Sequence, residues 1–279
     1  MDGTYRIVSY VASFFSLLLL LLMSGWFPHN ADASSLHLLI PLYSCPSDEN
    51  GALWESVEEV AQKVPTTVIW GIICEEDDYP TALHRLGAAG ARRLAYIATH
   101  DSQRPLEAIQ SEMAFYAQYP IDGFFFDEVN PEDVAAPKAW VDNAKAIHPG
   151  AMVFLNSPYA PPEFIHNVPA DGVIIFEDTF AEWQYFDATP YRALPPTQLA
   201  ALVHSTPATD FSAALMLAER RGIGWVYVTN RGWDSLPTYF SQEAAWLTTQ
   251  FKKSGYKAFM PSLQLVSPSI PPGDGPMRH

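Results

Sequence analysis

From Leu36 onward, short apolar runs alternate with amphipathic stretches. The runs are 36–43, 67–74, 93–98, 123–127, 152–156, 172–177, 199–204 and 224–229. They recur roughly every 25–30 residues. Apart from their end positions most are continuously apolar and rich in β-branched and aromatic side chains. That is the pattern of parallel strands buried on both faces. Between them, residues 54–63, 81–90, 106–119, 131–147, 211–221 and 242–253 carry helical periodicity. The fifth and sixth connections, 161–168 and 181–185, are short and flanked by proline, so they predict helices of one or two turns.

Eight such β-α units predict an α/β fold, a single (β/α)8 TIM-like barrel. The rival is an open doubly wound sheet, which has fewer strands and a glycine-rich first turn that holds phosphate. Here the first turn reads Ser44-Cys45-Pro46-Ser47-Asp48, with no such cradle. The barrel domain is expected over 34–260. Residues 1–33 contain a Leu-rich run behind Arg6 and end in Ala31-Asp32-Ala33, the pattern of a secretory signal. An uncleaved N-terminal anchor is the alternative. Both readings place the rest of the chain outside the cytoplasm, secreted or periplasmic, and membrane contact arises only if the segment is retained. The proline-rich stretch 261–279 reads as a disordered tail.

Composition narrows the partners. The 279 residues include 31 acidic and 16 basic side chains, a formal charge of −15. No Lys/Arg run exists that could neutralise a row of phosphates, which argues against nucleic acid. Aromatics make up 13%, with eight Trp and 13 Tyr, which suits contact with carbohydrate or simply a large core. The two cysteines, Cys45 and Cys74, exclude a disulfide-rich scaffold and a four-cysteine zinc site. They end neighbouring strands and could pair in an oxidising compartment. A monomer without a cofactor is expected.

Barrel chemistry gathers where strands end. The runs end, in order, at Tyr43, at Cys74 before an acidic stretch 75–78, beside Thr99 and Arg104, at Asp127-Glu128, at Asn156, at Glu177-Asp178, at His204 and at Thr229-Asn230. Asp127 follows three phenylalanines and Glu177 follows Val-Ile-Ile-Phe. A carboxylate at the mouth of an apolar strand is costly to bury unless it is paired or used. Glycoside hydrolysis uses two: one protonates the leaving oxygen, the other is nucleophile or base. The plainer alternative is that each caps the following helix. The acidic stretch 75–78 reads as a solvated loop. A metal set from Asp127, Glu128, Glu177 and His204 has no HxH, HExxH or EF-hand pattern behind it. No GxSxG elbow is present.

Several stretches resemble the spherulin-4-like family. Ile40-Pro41-Leu42-Tyr43 with Pro46 and Trp54 is similar to its opening. Gly123-Phe124-Phe125-Phe126-Asp127-Glu128 is similar to its G-[IV]-F-[FL]-D-E signature. Tyr96-Ile97-Ala98-Thr99 with Arg104, Leu155-Asn156, Ala170-Asp171-Gly172 through Phe176-Glu177, and Tyr227-Val228-Thr229 resemble further family motifs. The resemblance implies a (β/α)8 hydrolase of glycoside hydrolase family 135, an endo-acting α-1,4-N-acetylgalactosaminidase on microbial exopolysaccharide. The family's functional carboxylates match Asp127, Glu128 and Glu177. Three motifs depart from the pattern: 71–78 lacks the family's NPxSGPG, the fifth strand ends Leu-Asn-Ser-Pro, and the eighth reads Val-Thr-Asn.

The reading is an extracytoplasmic glycosidase acting on an amino-sugar polysaccharide. Asp127 is the expected nucleophile and Glu177 the acid/base, with Glu128 orienting or sharing the proton. Tyr43, Tyr96, Arg104, Asn156, His204, Tyr227, Asn230 and Trp233 are the expected substrate contacts. Retention or inversion depends on a separation that sequence does not give. The alternatives are a non-catalytic carbohydrate-binding barrel and a metal-dependent deacetylase or phosphodiesterase.

Overall fold

A computed structural model describes residues 36–47, 51–74 and 78–253. The expected leader, the tail and residues 75–77 lie outside the described residues. Eight strands, β1 (His37–Pro41), β2 (Thr66–Trp70), β3 (Arg92–Ala98), β4 (Gly123–Asp127), β5 (Met152–Asn156), β6 (Gly172–Thr179), β7 (Leu199–His204) and β8 (Trp225–Val228), close in sequence order into one parallel barrel. The helices between and after them are α1 (Gly51–Ala61), α2 (Tyr79–Ala88), α3 (Leu106–Tyr116), α4 (Ala135–Ile147), α5 (Pro162–Asn167), α6 (Phe180–Trp183), α7 (Phe211–Arg221) and α8 (Phe240–Lys253). No described helix is long and apolar enough to cross a membrane.

Side-chain alternation sorts each strand into a barrel face and a helix face. In β4, Phe126 turns outward, its ring 5.5 Å from Trp140 of α4. Phe125 turns inward, 6.1 Å from Tyr96 of β3. Residues in parallel register share a face, so Phe154, opposite Phe125, also points inward, and its ring meets Trp225 at 5.1 Å. Gly172 is registered with Phe154, and a Cβ there would run into the Phe154 ring. The glycine therefore lets a buried phenyl fill the barrel interior, a burial that contributes roughly 1.5–3 kcal/mol.

Three local departures from the expected elements have physical causes. The second strand stops at Trp70, short of Cys74, although Ile72 and Ile73 prolong the apolar run. The backbone leaves the sheet there, and the Tyr79 hydroxyl accepts from the amides of Ile73 and Cys74 at 3.0 and 3.2 Å. The fourth helix starts at Ala135 because Asp133 Oδ1 accepts from the amides of Ala135 and Ala136. In β6 the register slips by one residue at Ile175, between Ile174 and Phe176, a bulge that sequence periodicity does not reveal.

The barrel closes where β1 meets β8. That pair is registered over only His37↔Trp225 and Leu38↔Val226, whereas β1 meets β2 over four residues. On the other side of β1, Cys45 and Cys74 form a disulfide between the loops that follow β1 and β2, with Cα atoms 5.8 Å apart. Each cysteine lies in the loop that follows its strand, not at the strand end.

Candidate active site

The bulge decides which residues of β6 face the axis. Gly172 and Ile174 point inward, in register with Phe154 and Ala200. Plain alternation would then put Phe176 inward and Glu177 among the helices. With Ile175 inserted, Phe176 packs outward against Trp183, ring centroids 4.7 Å apart. Glu177 instead turns inward and is registered with Leu202. In β4 no bulge is needed, and Asp127 follows Gly123 and Phe125 on the inner face.

One amide joins the two acids. Asn156 at the end of β5 donates from Nδ2 to Asp127 Oδ1 at 2.7 Å and to Glu177 Oε2 at 2.6 Å. Those two oxygens therefore lie no farther apart than the two bond lengths together, about 5.3 Å. Asn156 is only 7% exposed. Asp127 also accepts from Tyr96 Oη at 2.7 Å on Oδ2 and from the Glu128 amide at 2.9 Å on Oδ1. Three donors thus fix its orientation.

The electrostatics differ between the pair's members and their surroundings. Burial pushes the Glu177 carboxyl above the usual carboxylate range; the Asn156 bond opposes this and the Asp127 charge adds to it. Burial, then the charge of Asp127, holds the Tyr43 phenol well above its usual range. Burial and the bond to Asp127 do the same for Tyr96. Both phenols remain neutral donors beside the acids, with their rings edge-to-face at 5.4 Å.

Glu128 is placed differently from Asp127. The strand ends at Asp127, and Glu128 takes a left-handed backbone, φ 56°. Its side chain is exposed, and its Oε2 accepts from the His100 amide at 3.2 Å. Thr99, fully buried, sits with Oγ1 2.7 Å from the carbonyl oxygens of both Asp127 and Glu128 and holds this strand exit. His100, Asp101 and Ser102 form three successive left-handed residues. Each costs about 1–2 kcal/mol for an L-residue. Ser102 Oγ accepts from the Asn130 amide at 3.1 Å, tying this turn to the loop after β4.

Backbone strain is distributed by end. All six described non-glycine residues with positive φ (His100, Asp101, Ser102, Glu128, Tyr159 and Ser205) follow strand ends at this mouth. The positive-φ glycines, Gly90, Gly150 and Gly222, all lie in the turns that enter strands at the opposite end. Strain carried by side-chain-bearing residues on one face is the mark of a functional surface.

The other expected contacts divide. Tyr43, His204 and Trp233 are partly exposed around the mouth; Trp233 lies 6.1 Å from the His204 ring, and its carbonyl accepts from the Tyr43 amide. Arg104 does not reach the acids: its guanidinium donates to the Ala98 carbonyl at 2.6 Å and to Glu112 at 2.7 Å, bracing α3 against β3. Tyr227 is fully buried within the barrel, so it offers no stacking face. Asn230 is engaged with Thr238 through both side-chain atoms and shapes the loop before α8. The role of Asn156 as a bridge was not legible, because only the fold brings residues 127, 156 and 177 together. Among the described residues no cluster of three His, Cys, Asp or Glu is arranged to hold a metal.

One buried acid lies outside this group. Glu243 of α8 is fully buried, and neither carboxyl oxygen has a hydrogen-bond partner. Burial pushes it up to about 8; the Val228 backbone amide opposes this without forming a bond of good geometry. Its charge would in turn act on Tyr227 and Tyr239.

The class that fold and site define is a closed (β/α)8 barrel with two inward carboxylates joined by one amide at its mouth. More narrowly, the chain belongs to the spherulin-4 family: the sequence profile of spherulation-specific family 4 matches residues 37–247. It is 26% identical over 261 residues to spherulin-4 of Physarum polycephalum, covering 83% of this chain and 76% of that protein. The crystal structure of Aspergillus clavatus Sph3 in complex with GalNAc has a TM-score of 0.65 at 20% identity, over 78% of this chain and 99% of that one. The cyclic α-maltosyl-(1→6)-maltose hydrolase of Arthrobacter globiformis has a TM-score of 0.53 at 10% identity, over 83% of this chain and 84% of that one. These two likenesses are of fold.

Proposed function

We propose that the protein is a retaining glycoside hydrolase acting on an amino-sugar polysaccharide outside the cytoplasm. The observation that carries the reading is the Asn156 bridge. Carboxyl groups about 5–5.5 Å apart suit retention, whereas inversion needs about 6.5–9.5 Å to admit a water. The facing oxygens Asp127 Oδ1 and Glu177 Oε2, within about 5.3 Å of each other, support the closer, retaining arrangement.

The roles follow from the environments. Glu177, its proton held more firmly by burial, donates that proton to the glycosidic oxygen. Asn156 occupies Oε2, which leaves Oε1 to carry the proton. As the leaving sugar departs with it, Asp127 forms a bond to the anomeric carbon. Glu177, now a carboxylate, takes a proton from water. The water oxygen displaces Asp127 and regenerates both acids in their starting states. Tyr43 remains protonated at the same mouth and suits a donor to the sugar, while Tyr96 keeps its proton in the bond to Asp127. Glu128, exposed and held by the His100 amide, is suited to orient substrate hydroxyls rather than to attack.

Support for the amino-sugar substrate comes from the Sph3 likeness, since that structure contains GalNAc. The disulfide supports an oxidising compartment. The expected leader over 1–33, the catalytic unit over 34–260 and the tail over 261–279 complete the proposed organisation. The test is release of reducing ends from a panel of amino-sugar polymers by the wild type, Asp127→Asn and Glu177→Gln. Each variant should lose roughly 10²–10⁴-fold in rate while remaining folded. NMR of the first product should show the substrate's anomeric configuration. The inverted anomer overturns retention. Near-wild-type activity in both variants overturns the site, and loss of wild-type activity on chelation returns the metal-dependent reading.

A further inference from the structure

The two oxygens of Asp127 are bound unequally. Asp127 ends β4, which lies between β3 and β5 in the barrel. From the β5 side, Asn156 Nδ2 donates to Oδ1 at 2.7 Å, and the Glu128 amide donates to the same oxygen at 2.9 Å. From the β3 side, Tyr96 Oη donates to Oδ2 at 2.7 Å. A carboxylate oxygen has about two lone-pair sites. Both are filled on Oδ1, whereas Oδ2 keeps one for a further contact. There is room beside it. Tyr96 is registered with Phe125, one inward position deeper than Asp127. The residue registered with Asp127 itself is Ala98, a half-buried methyl at the mouth. The phenol therefore reaches Oδ2 from deeper in the barrel and leaves the mouth side of that oxygen to a substrate.

The donor is firmly placed. Its ring stacks on Phe125 at 6.1 Å and meets Tyr43 edge-to-face at 5.4 Å. Burial and the bond to Asp127 both strengthen its hold on its proton, so it stays a donor and never competes as a base.

We propose that Asp127 attacks the anomeric carbon through Oδ2, and that Tyr96 is a positioning residue that acts on this reacting oxygen, chiefly by helping it to leave in the second step. This rests on the retaining glycosidase reading above. It adds which atom of the nucleophile reacts and which side chain governs its departure. Asn156 then holds the non-reacting oxygen of each acid, Oδ1 of Asp127 and Oε2 of Glu177. When Oδ2 bonds to the anomeric carbon it loses its charge, and the phenol's hydrogen bond to it weakens. When water displaces Asp127, the bond from the anomeric carbon to Oδ2 breaks and its electron pair returns to Oδ2. The water's proton goes to Glu177, and Tyr96 keeps its own throughout. The Tyr96 bond strengthens as charge returns to Oδ2, so it is worth more in that transition state than in the covalent intermediate.

The test uses an aryl glycoside of an amino-sugar oligosaccharide. Its good leaving group makes the second step limiting, so kcat reads the departure of Asp127 and kcat/KM reads the attack. Tyr96→Phe keeps the ring and deletes the donor. Its kcat should fall about 10–100-fold, the scale of one hydrogen bond to a charged group. Its kcat/KM should change much less, so KM should fall along with kcat. A merely structural role would lower both parameters together. A second variant replaces Tyr96 by 3,5-difluorotyrosine, assayed on the acid side of neutrality. It keeps the ring and the bond but makes the hydroxyl a stronger donor, so kcat should rise. Equal falls in kcat and kcat/KM for Tyr96→Phe, or a kcat indifferent to fluorination, overturn the proposal and leave the glycosidase reading standing. If the wild type cleaves neither amino-sugar polymers nor their aryl glycosides, the glycosidase reading fails, and the proposal falls with it.

Discussion

Replacing Glu243 by Gln should stabilise the protein, and by an amount that grows with pH. The carboxyl is fully buried with both oxygens unpartnered. Burial raises its pKa to about 8, against the ordinary 4.5 of an exposed glutamate. The folded state therefore binds a proton that the unfolded state releases. A raised acid leaves stability intact near and below pH 4.5 and erodes it as pH climbs towards 8. Each pH unit in that window costs about 1.4 kcal/mol, so at pH 7 the wild type has lost about 3 kcal/mol relative to acid conditions. Glutamine keeps the shape without titrating. The assay is urea unfolding of both proteins at pH 5, 6, 7 and 8. The gap in unfolding free energy should widen by about 1.4 kcal/mol per unit and flatten above pH 8. Any change in packing adds only a constant. Parallel stabilities across the range would refute the reasoning and imply that Glu243 reaches a partner or water in solution.

Two further outcomes follow from the site and its frame. Asn156→Ala removes the bond that lowers the Glu177 proton affinity, so the alkaline limb of the kcat/KM profile should move to higher pH while the rate falls; a limb that stays in place would show that Asn156 does not act on Glu177. Replacing Cys45 and Cys74 together by serine opens a loop of sequence separation 29. That should lower unfolding free energy by about 3–4 kcal/mol on the chain-entropy account, read as a lower denaturant midpoint, and an unchanged midpoint would show that the bond constrains nothing.

The barrel was legible because strands buried on both faces write continuous apolar runs, and GFFFD and GVIIFE are such runs. Strand-end acids were legible for the same reason: Asp127 and Glu177 interrupt apolar sequence. The same cue overran at 67–74, where Ile72 and Ile73 look like strand but leave the sheet. What could not be read depends on phase and proximity. Nothing in Val-Ile-Ile-Phe-Glu announces that Ile175 is an extra residue, so the inward turn of Glu177 is a property of the sheet. Arg104 sat in a matching motif and still braces a helix, because a long side chain finds its partners in three dimensions. Glu243 occupied a polar place in an amphipathic pattern, and only packing shows that its helix buries it.

The short seam between β1 and β8 has a consequence for synthesis. A barrel is free of exposed strand edges only once its first and last strands have paired. These strands are also the farthest apart along the chain, so their union comes at the highest cost in chain ordering and late in folding. Until residues 225–228 have left the ribosome, β1 and β7 each present an open edge of unpaired amides and carbonyls. A polypeptide cut short before Trp225 would keep both edges and become a template for intermolecular pairing, whereas a chain a few residues longer would hide them. The last strand therefore acts as the molecule's guard against aggregation, although it carries none of the paired acids.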